Sequence, residues 1–319
     1  MRPDSVRTAL VAALSACGLA FAPDAFAQPA PAAPVFPPPP PFVGNGAYPA
    51  TSEAAVGLPT HTVYRPRDLT ALKGQRLPIV AWANGGCAND NRTFKTFLTE
   101  IASHGYLIVA IGPYAAAPLP ARPAAPAAPS PDGPPPGEDA TKSSQLIDAI
   151  NWAQAENGRA GGPFQGRLAV DKIAVMGQSC GGLQALDVSP DPRVTTSVIW
   201  NSGIYNRPGG RSGIKVSKDK LKQLHAPIAY FIGGSTDIAY PNAVDDYARI
   251  DTVPALIAQL PVGHGGNYGL PEGGPFAPVG AAWLDWRLKG DQTAAKVFIG
   301  PDCGLCRDPA WSVHSKNLK

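Results

Sequence analysis

The chain has 319 residues, 44% of them apolar and 16% charged, with a formal net charge of +3. That apolar share supplies a sizeable core and excludes global disorder, while so weak a positive charge excludes a nucleic-acid binder working through a basic surface. No stretch beyond the N-terminus is long and apolar enough to span a bilayer, and the five cysteines and five histidines are too scattered for a zinc-finger array.

Residues 1–27 read as an export signal. Arg2 and Arg7 form a basic start, Thr8 to Ala22 an apolar run, and Ala25-Phe26-Ala27 a small-x-small cleavage site, with Gln28 as the mature start. A lipid anchor at Cys17 is the alternative, because Leu14-Ser15-Ala16-Cys17 sets a cysteine behind small residues. Cys17 lies in mid-run, with Gly18 to Ala22 still apolar behind it, so cleavage after Ala27 is preferred. The expected location is secreted or periplasmic, without membrane insertion. Cleavage leaves Cys87, Cys180, Cys303 and Cys306, and four cysteines in an exported protein suggest two disulfides, with three connectivities open.

Residues 28–60 read as a Pro-rich tether and lead-in, and residues 61–319 as the folded domain. Gln28 to Phe42 holds eight prolines and Pro113 to Gly137 holds ten. Proline fixes φ and removes the N–H donor, so neither segment forms a helix or inner strand. The second reads as a long surface loop inside the domain.

Leu77 to Ala83 is a buried-strand pattern. Arg92 to His104 follows with Phe94, Phe97, Leu98 and Ile101 at helical spacing. Tyr106 to Ile111 is a strand opened by Gly105, and Thr141 to Glu156 a helix with Leu146, Ile147, Ile150 and Trp152 toward one face. Lys172 to Met176 is a strand followed by a helix. Val194 to Trp200, Ile228 to Ile232 and Ala255 to Leu260 are further strands, and Phe276 to Leu288 is a helix carrying Val279, Trp283 and Trp286. Strands alternating with helices predict an α/β fold: a mostly parallel central sheet with helices on both faces.

Gly177-Gln178-Ser179-Cys180-Gly181 sits between the strand Lys172–Met176 and the next helix. G-x-S-x-G in that setting is a nucleophile elbow, whose turn is so tight that its flanks must be nearly free of side chains. Ser179 then stands at a helix N-terminus, where the dipole favours developing negative charge. A serine needs a base oriented by an acid. Of the later histidines, His225 precedes its strand and His314 lies in the C-terminal tail. His264 lies in Val262-Gly263-His264-Gly265-Gly266, after the strand Ala255–Leu260, where such folds keep their sites. Asp237, on the loop after Ile228–Ile232, is the acid; Asp245 and Asp246 fall on a helical pattern and read as a solvated face. The oxyanion donors are the N–H of Cys180, next to the nucleophile, and that of Cys87 in Asn84-Gly85-Gly86-Cys87, with Gly86 and Ala88 as alternatives to Cys87.

Together these residues resemble the α/β-hydrolase superfamily, and within it the lidless, exported polyester hydrolases and cutinase-like esterases of bacteria, with dienelactone hydrolases as cousins. The resemblance is carried by Ile101-Ala102-Ser103-His104-Gly105-Tyr106, the segment Ile173–Gly182, Thr236-Asp237-Ile238-Ala239-Tyr240-Pro241 and the Trp283 helix. It implies an α/β-hydrolase fold with no separate lid domain, Ser179, Asp237 and His264 as a triad, and Cys87 and Cys180 at the oxyanion positions. Trp200 falls near an aromatic subsite wall, and Tyr240, in the matched stretch, among the substrate-binding residues. Those enzymes carry a bulky aromatic residue or Met beside the oxyanion positions, where this chain has two cysteines.

The expected function is an exported serine hydrolase that cleaves carboxylic esters, small or polymeric, through an acyl-enzyme on Ser179. The alternatives are a serine peptidase on the same fold and a non-catalytic binding protein. No cofactor, metal or nucleic-acid partner is expected. If the Cys87 and Cys180 amides both face one oxygen, their nitrogens lie within about 6 Å, which matches the Cα spacing of a disulfide. A Cys87–Cys180 bond, with Cys303 joined to Cys306, is therefore expected; two reduced thiols beneath the substrate are the alternative.

Overall fold

The computed structural model describes residues 43–115, 140–207 and 214–319. The export signal, Cys17 and the Pro-rich tether through Phe42 lie outside the described residues, as does most of the Pro113–Gly137 loop.

The described residues form a nine-stranded sheet whose elements, in chain order, are β1 (Ala50–Ala54), β2 (His61–Pro66), β3 (Leu77–Ala83), α1 (Lys95–Ser103), β4 (Leu107–Ile111), α2 (Ser144–Gly158), β5 (Leu168–Gln178), α3 (Cys180–Val188), β6 (Val194–Trp200), β7 (Ile228–Ile232), α4 (Tyr240–Arg249), β8 (Ala255–Gln259), α5 (Phe276–Leu284) and β9 (Ser312–Lys316). The strand order is β1-β2-β4-β3-β5-β6-β7-β8-β9. From β4 to β8 every pairing is parallel, whereas β1, β2 and β9 pair antiparallel at the two edges.

Alternation along each inner strand builds two cores. In β3, Leu77, Ile79 and Ala81 face one side with Leu146 and Ile150 of α2, Leu183 of α3 and Ala243 of α4. Val80 and Trp82 face the other, with Phe97 and Ile101 of α1 and Phe276 and Trp283 of α5. Both faces are covered, which is why these strands read as unbroken apolar runs.

Three expectations change. The sheet begins at Ala50, inside the segment read as a lead-in. β1 escapes notice because four of its five residues are half-buried or exposed, as an edge strand allows. The C-terminal tail ends in β9, which places His314 opposite Ile257 of β8. The helix from Phe276 stays α-helical only to Leu284 and continues as a wider π turn over Asp285–Lys289.

β3 sends its crossover to β4 on one side, while the chain later returns to β5 on the other. Adjacent strands whose connections run in opposite directions leave a crevice at their C-terminal ends. The loops Asn84–Cys87 and Gln178–Cys180 leave the sheet at that point.

Candidate active site

Ser179 sits between β5 and α3 at φ 53° and ψ −118°, a left-handed conformation that a residue with a Cβ adopts only under constraint. The constraint is close backbone approach. A Cβ on Gly177 would strike the Gly181 carbonyl, and a Cβ on Gly181 would strike the carbonyl of Ala83 and the amide of Asn84. Glycine at both positions lets the turn close and seats α3 directly over the end of β3. The Ser179 amide donates to Trp200 O at 2.9 Å, and Ser202 Oγ donates to Ser179 O at 2.6 Å, so the serine is held from both sides.

Ser179 Oγ lies 2.9 Å from His264 Nε2, and His264 Nδ1 lies 2.6 Å from Asp237 Oδ1. The carboxylate assigns the tautomer: Nδ1 carries the proton that Asp237 accepts, which leaves Nε2 to accept from the serine hydroxyl. Gln178 Nε2 donates to His264 O at 3.0 Å and ties the Gly-rich histidine loop to the elbow. The Asp237 side chain is fully buried, whereas the imidazole is 22% exposed. Burial pushes the Asp237 carboxyl up, but hydrogen bonds from His264, Ala239 N, Asn201 Nδ2 and Gly233 N outweigh it and hold the group below the ordinary aspartate value. The acid therefore stays ionised behind the imidazole.

Gly85, Gly86 and Cys87 form a single tight turn after β3, with Gly86 at φ 65° and Cys87 at φ 49°. The Cys87 carbonyl accepts from Thr141 N at 2.9 Å and Thr141 Oγ1 at 3.0 Å, which anchors the turn to the start of α2. Cys87 and Cys180 lie at disulfide distance with their Cα atoms 5.1 Å apart, and Cys303 and Cys306 form a second such pair. Among the described residues, no group of three or more His, Cys, Asp or Glu side chains is placed to hold a metal.

Comparison with known protein families and with curated proteins returns no match.

The fold does not bring every expected residue to this place. Trp200 is wholly buried, its ring stacked on Phe231 at 4.6 Å and edge-on to Phe97. It is part of the α1/α5 core and lines no open wall; alternation in β6 sends it below the sheet edge. Tyr240 opens α4 and lines a groove with Val244, Tyr247, Ile257 and His314, to which Ser179, Asp237 and His264 do not contribute. Asp246 is not a solvated residue. It is buried, paired with Lys218 Nζ at 2.6 Å, and accepts from Ile204 N at 2.7 Å. Asp245, beside it, does stand on the outer face with Arg249. His225 is at the opposite end of the sheet, its Nε2 3.1 Å from Val194 O.

One residue of the site escaped the sequence reading. Asn201, the first residue past β6, is buried and donates to Asp237 Oδ2 at 2.7 Å. Its only signal was its position: a polar residue ending an inner strand on the side of the crevice.

Proposed function

We propose that the protein is an exported serine hydrolase with an α/β-hydrolase fold, acting on carboxylic esters through an acyl-enzyme on Ser179. The observation that carries this reading is the unbroken chain Ser179 Oγ, His264, Asp237, mounted on a left-handed turn at the sheet's crevice. In the reaction, Ser179 Oγ attacks the ester carbonyl carbon while His264 Nε2 takes its proton. Ionised Asp237 stabilises the imidazolium so formed. The tetrahedral oxyanion faces the Cys180 amide at the start of α3 and the Cys87 amide in the facing turn. The 5.1 Å Cα spacing suits two donors aimed at one oxygen. The imidazolium then protonates the leaving alkoxide as the carbonyl–oxygen bond breaks. Water attacks the acyl-enzyme by the same route and releases the acid.

Support for an apolar ester comes from the rim. Of the seven large apolar side chains exposed among the described residues, Tyr114, Tyr205, Ile238, Val262 and Leu270 lie in segments that follow β4, β6, β7 and β8. Those segments leave the sheet at the edge that bears Ser179. An oxidising location is supported by two cysteine pairs at disulfide distance, together with the N-terminal sequence.

The test is turnover of p-nitrophenyl acetate and butyrate, then of a peptide amide, by wild type and Ser179→Ala. Ester turnover that Ser179→Ala lowers by about 10⁶ supports the reading. Amide turnover of similar efficiency would favour a peptidase, and no turnover of either a binding protein.

A further inference from the structure

The Asn201 side chain hydrogen-bonds both the acid and the base loop while anchored to the core. It follows β6 at φ 42°, in the left-handed region where asparagine is among the few tolerated side chains. Its Nδ2 carries two hydrogens. One goes to Asp237 Oδ2 at 2.7 Å and the other to Gly263 O, the residue before His264, at 3.1 Å. Its Oδ1 accepts from the Tyr268 hydroxyl. Rotating the amide by half a turn would point Oδ1 at a carboxylate oxygen and a carbonyl oxygen, so the hydrogen-bond pattern admits one orientation.

Tyr268 supplies the anchor. Its ring packs edge-on against Phe94 and Phe97, each with centroids 5.2 Å away, and leans on Phe276 at 5.6 Å. Burial, reinforced by the charge on Asp237, holds its phenol well above the ordinary tyrosine value. The hydroxyl therefore remains a donor. The loops it steadies are glycine-rich: Gly233 and Gly234 precede Asp237, and Gly263, Gly265 and Gly266 surround His264. The Gly263 amide donates to Gly233 O at 2.8 Å, and Gln178 holds His264 O at 3.0 Å. Glycine loses the most freedom when ordered, so a further tie that reaches the carboxylate and the base loop together adds to their hold.

We propose that Asn201 and Tyr268 are a positioning pair: Tyr268 fixes the amide of Asn201, and Asn201 fixes the second oxygen of Asp237 and the backbone beside His264, so that the imidazole is held for Ser179. This rests on the reading of Ser179, His264 and Asp237 as the catalytic unit.

Two variants test it. Tyr268→Phe removes only the hydroxyl. Asn201→Gly removes the amide and keeps a residue suited to positive φ. With p-nitrophenyl butyrate, kcat should fall about tenfold in Tyr268→Phe and about a hundredfold in Asn201→Gly, with KM within about twofold, as expected when reacting groups are held less well. A loss of packing alone would instead change stability and leave the kcat-to-KM split of a folded variant unaltered. A readout independent of turnover is the low-field proton resonance of His264 Nδ1, assigned by its absence in His264→Ala; it should move upfield or vanish in both variants. Folded variants with an unchanged resonance overturn the positioning pair, as does an unchanged kcat beside an active wild type. A wild type that turns over no ester overturns instead the catalytic reading, and the resonance then still decides whether the pair holds the imidazole.

Discussion

The Cys87–Cys180 pair ties the turn after β3 to the residue that follows Ser179, and breaking it should cost far more than breaking the pair at the C-terminus. The two cysteines are 93 residues apart in the chain, so a bond between them closes a long loop in the unfolded state. Chain-entropy arithmetic gives about 4.6 kcal/mol for that length. Cys303 and Cys306 are separated by 3, for which the same relation gives about 1.6 kcal/mol. At roughly 2–4 °C per kcal/mol for a domain of this size, loss of the first bond should lower Tm by about 10 °C or more, and loss of the second by about a third as much. Reduction by dithiothreitol opens both pairs and leaves every sulfur in place, so in the Cys303→Ala/Cys306→Ala variant it isolates the Cys87–Cys180 cross-link. Cys87→Ala/Cys180→Ala opens the same bond and adds the loss of two buried sulfurs, so its Tm shift beyond that of the cross-link measures packing. Both keep the backbone amides, so ester turnover by the double variant should persist with a reduced kcat. Scanning calorimetry of wild type, each double alanine variant and the reduced Cys303→Ala/Cys306→Ala variant provides the assay. Equal Tm shifts for the two pairs, or free thiols at both Cys87 and Cys180 in freshly purified protein, would refute the reasoning.

Asp237→Asn should lower kcat by about 10⁴ while leaving the fold intact, because an amide faces His264 with the wrong tautomer; steady-state kinetics beside circular dichroism checks this. Gly181→Ala should destabilise the protein by about 1–3 kcal/mol in urea unfolding, since its Cβ meets the backbone at Ala83 and Asn84, which cannot move aside. Trp200→Ala should cost about 3–5 kcal/mol of stability, as for a large core aromatic. Trp200→Phe should leave KM unchanged; a KM that rises severalfold in a stable variant would return Trp200 to the substrate site. Asp246 is pushed up from 3.8 to about 6 by burial, against the pull of Lys218. Its folded form holds a proton that the unfolded form has released between those values, so its contribution to stability is present below about pH 4 and is lost as pH rises through about 6. Asp246→Asn should therefore become less destabilising between pH 4 and pH 7, by an amount on the order of 2 kcal/mol, in urea titrations at each pH. A cost that does not change with pH would overturn this.

What the sequence determined by itself was whatever depends on neighbours along the chain. β3, β6 and β7 were legible to the residue because strands buried on both faces are continuous apolar runs ended by turn residues. The elbow was legible because close backbone approach at Gly177 and Gly181 leaves glycine as the residue that fits. That Asp237 and His264 would come to Ser179's side of the sheet was legible because a parallel sheet delivers the loops after its strands to one edge. The tertiary structure alone decided which way side chains point once they arrive. Trp200 and Asn201 are consecutive, yet one turns into the aromatic core and the other toward Asp237, since a left-handed residue rotates the chain between them. Tyr240 and Asp246 share α4, and only packing sets one against β9's groove and buries the other with Lys218. The edge strands β1 and β9 have mostly polar sequences and exist because an inner strand offers them free backbone groups to pair with. The tyrosine that anchors Asn201 lies 67 residues further on, and no local pattern records a hydrogen bond across that distance.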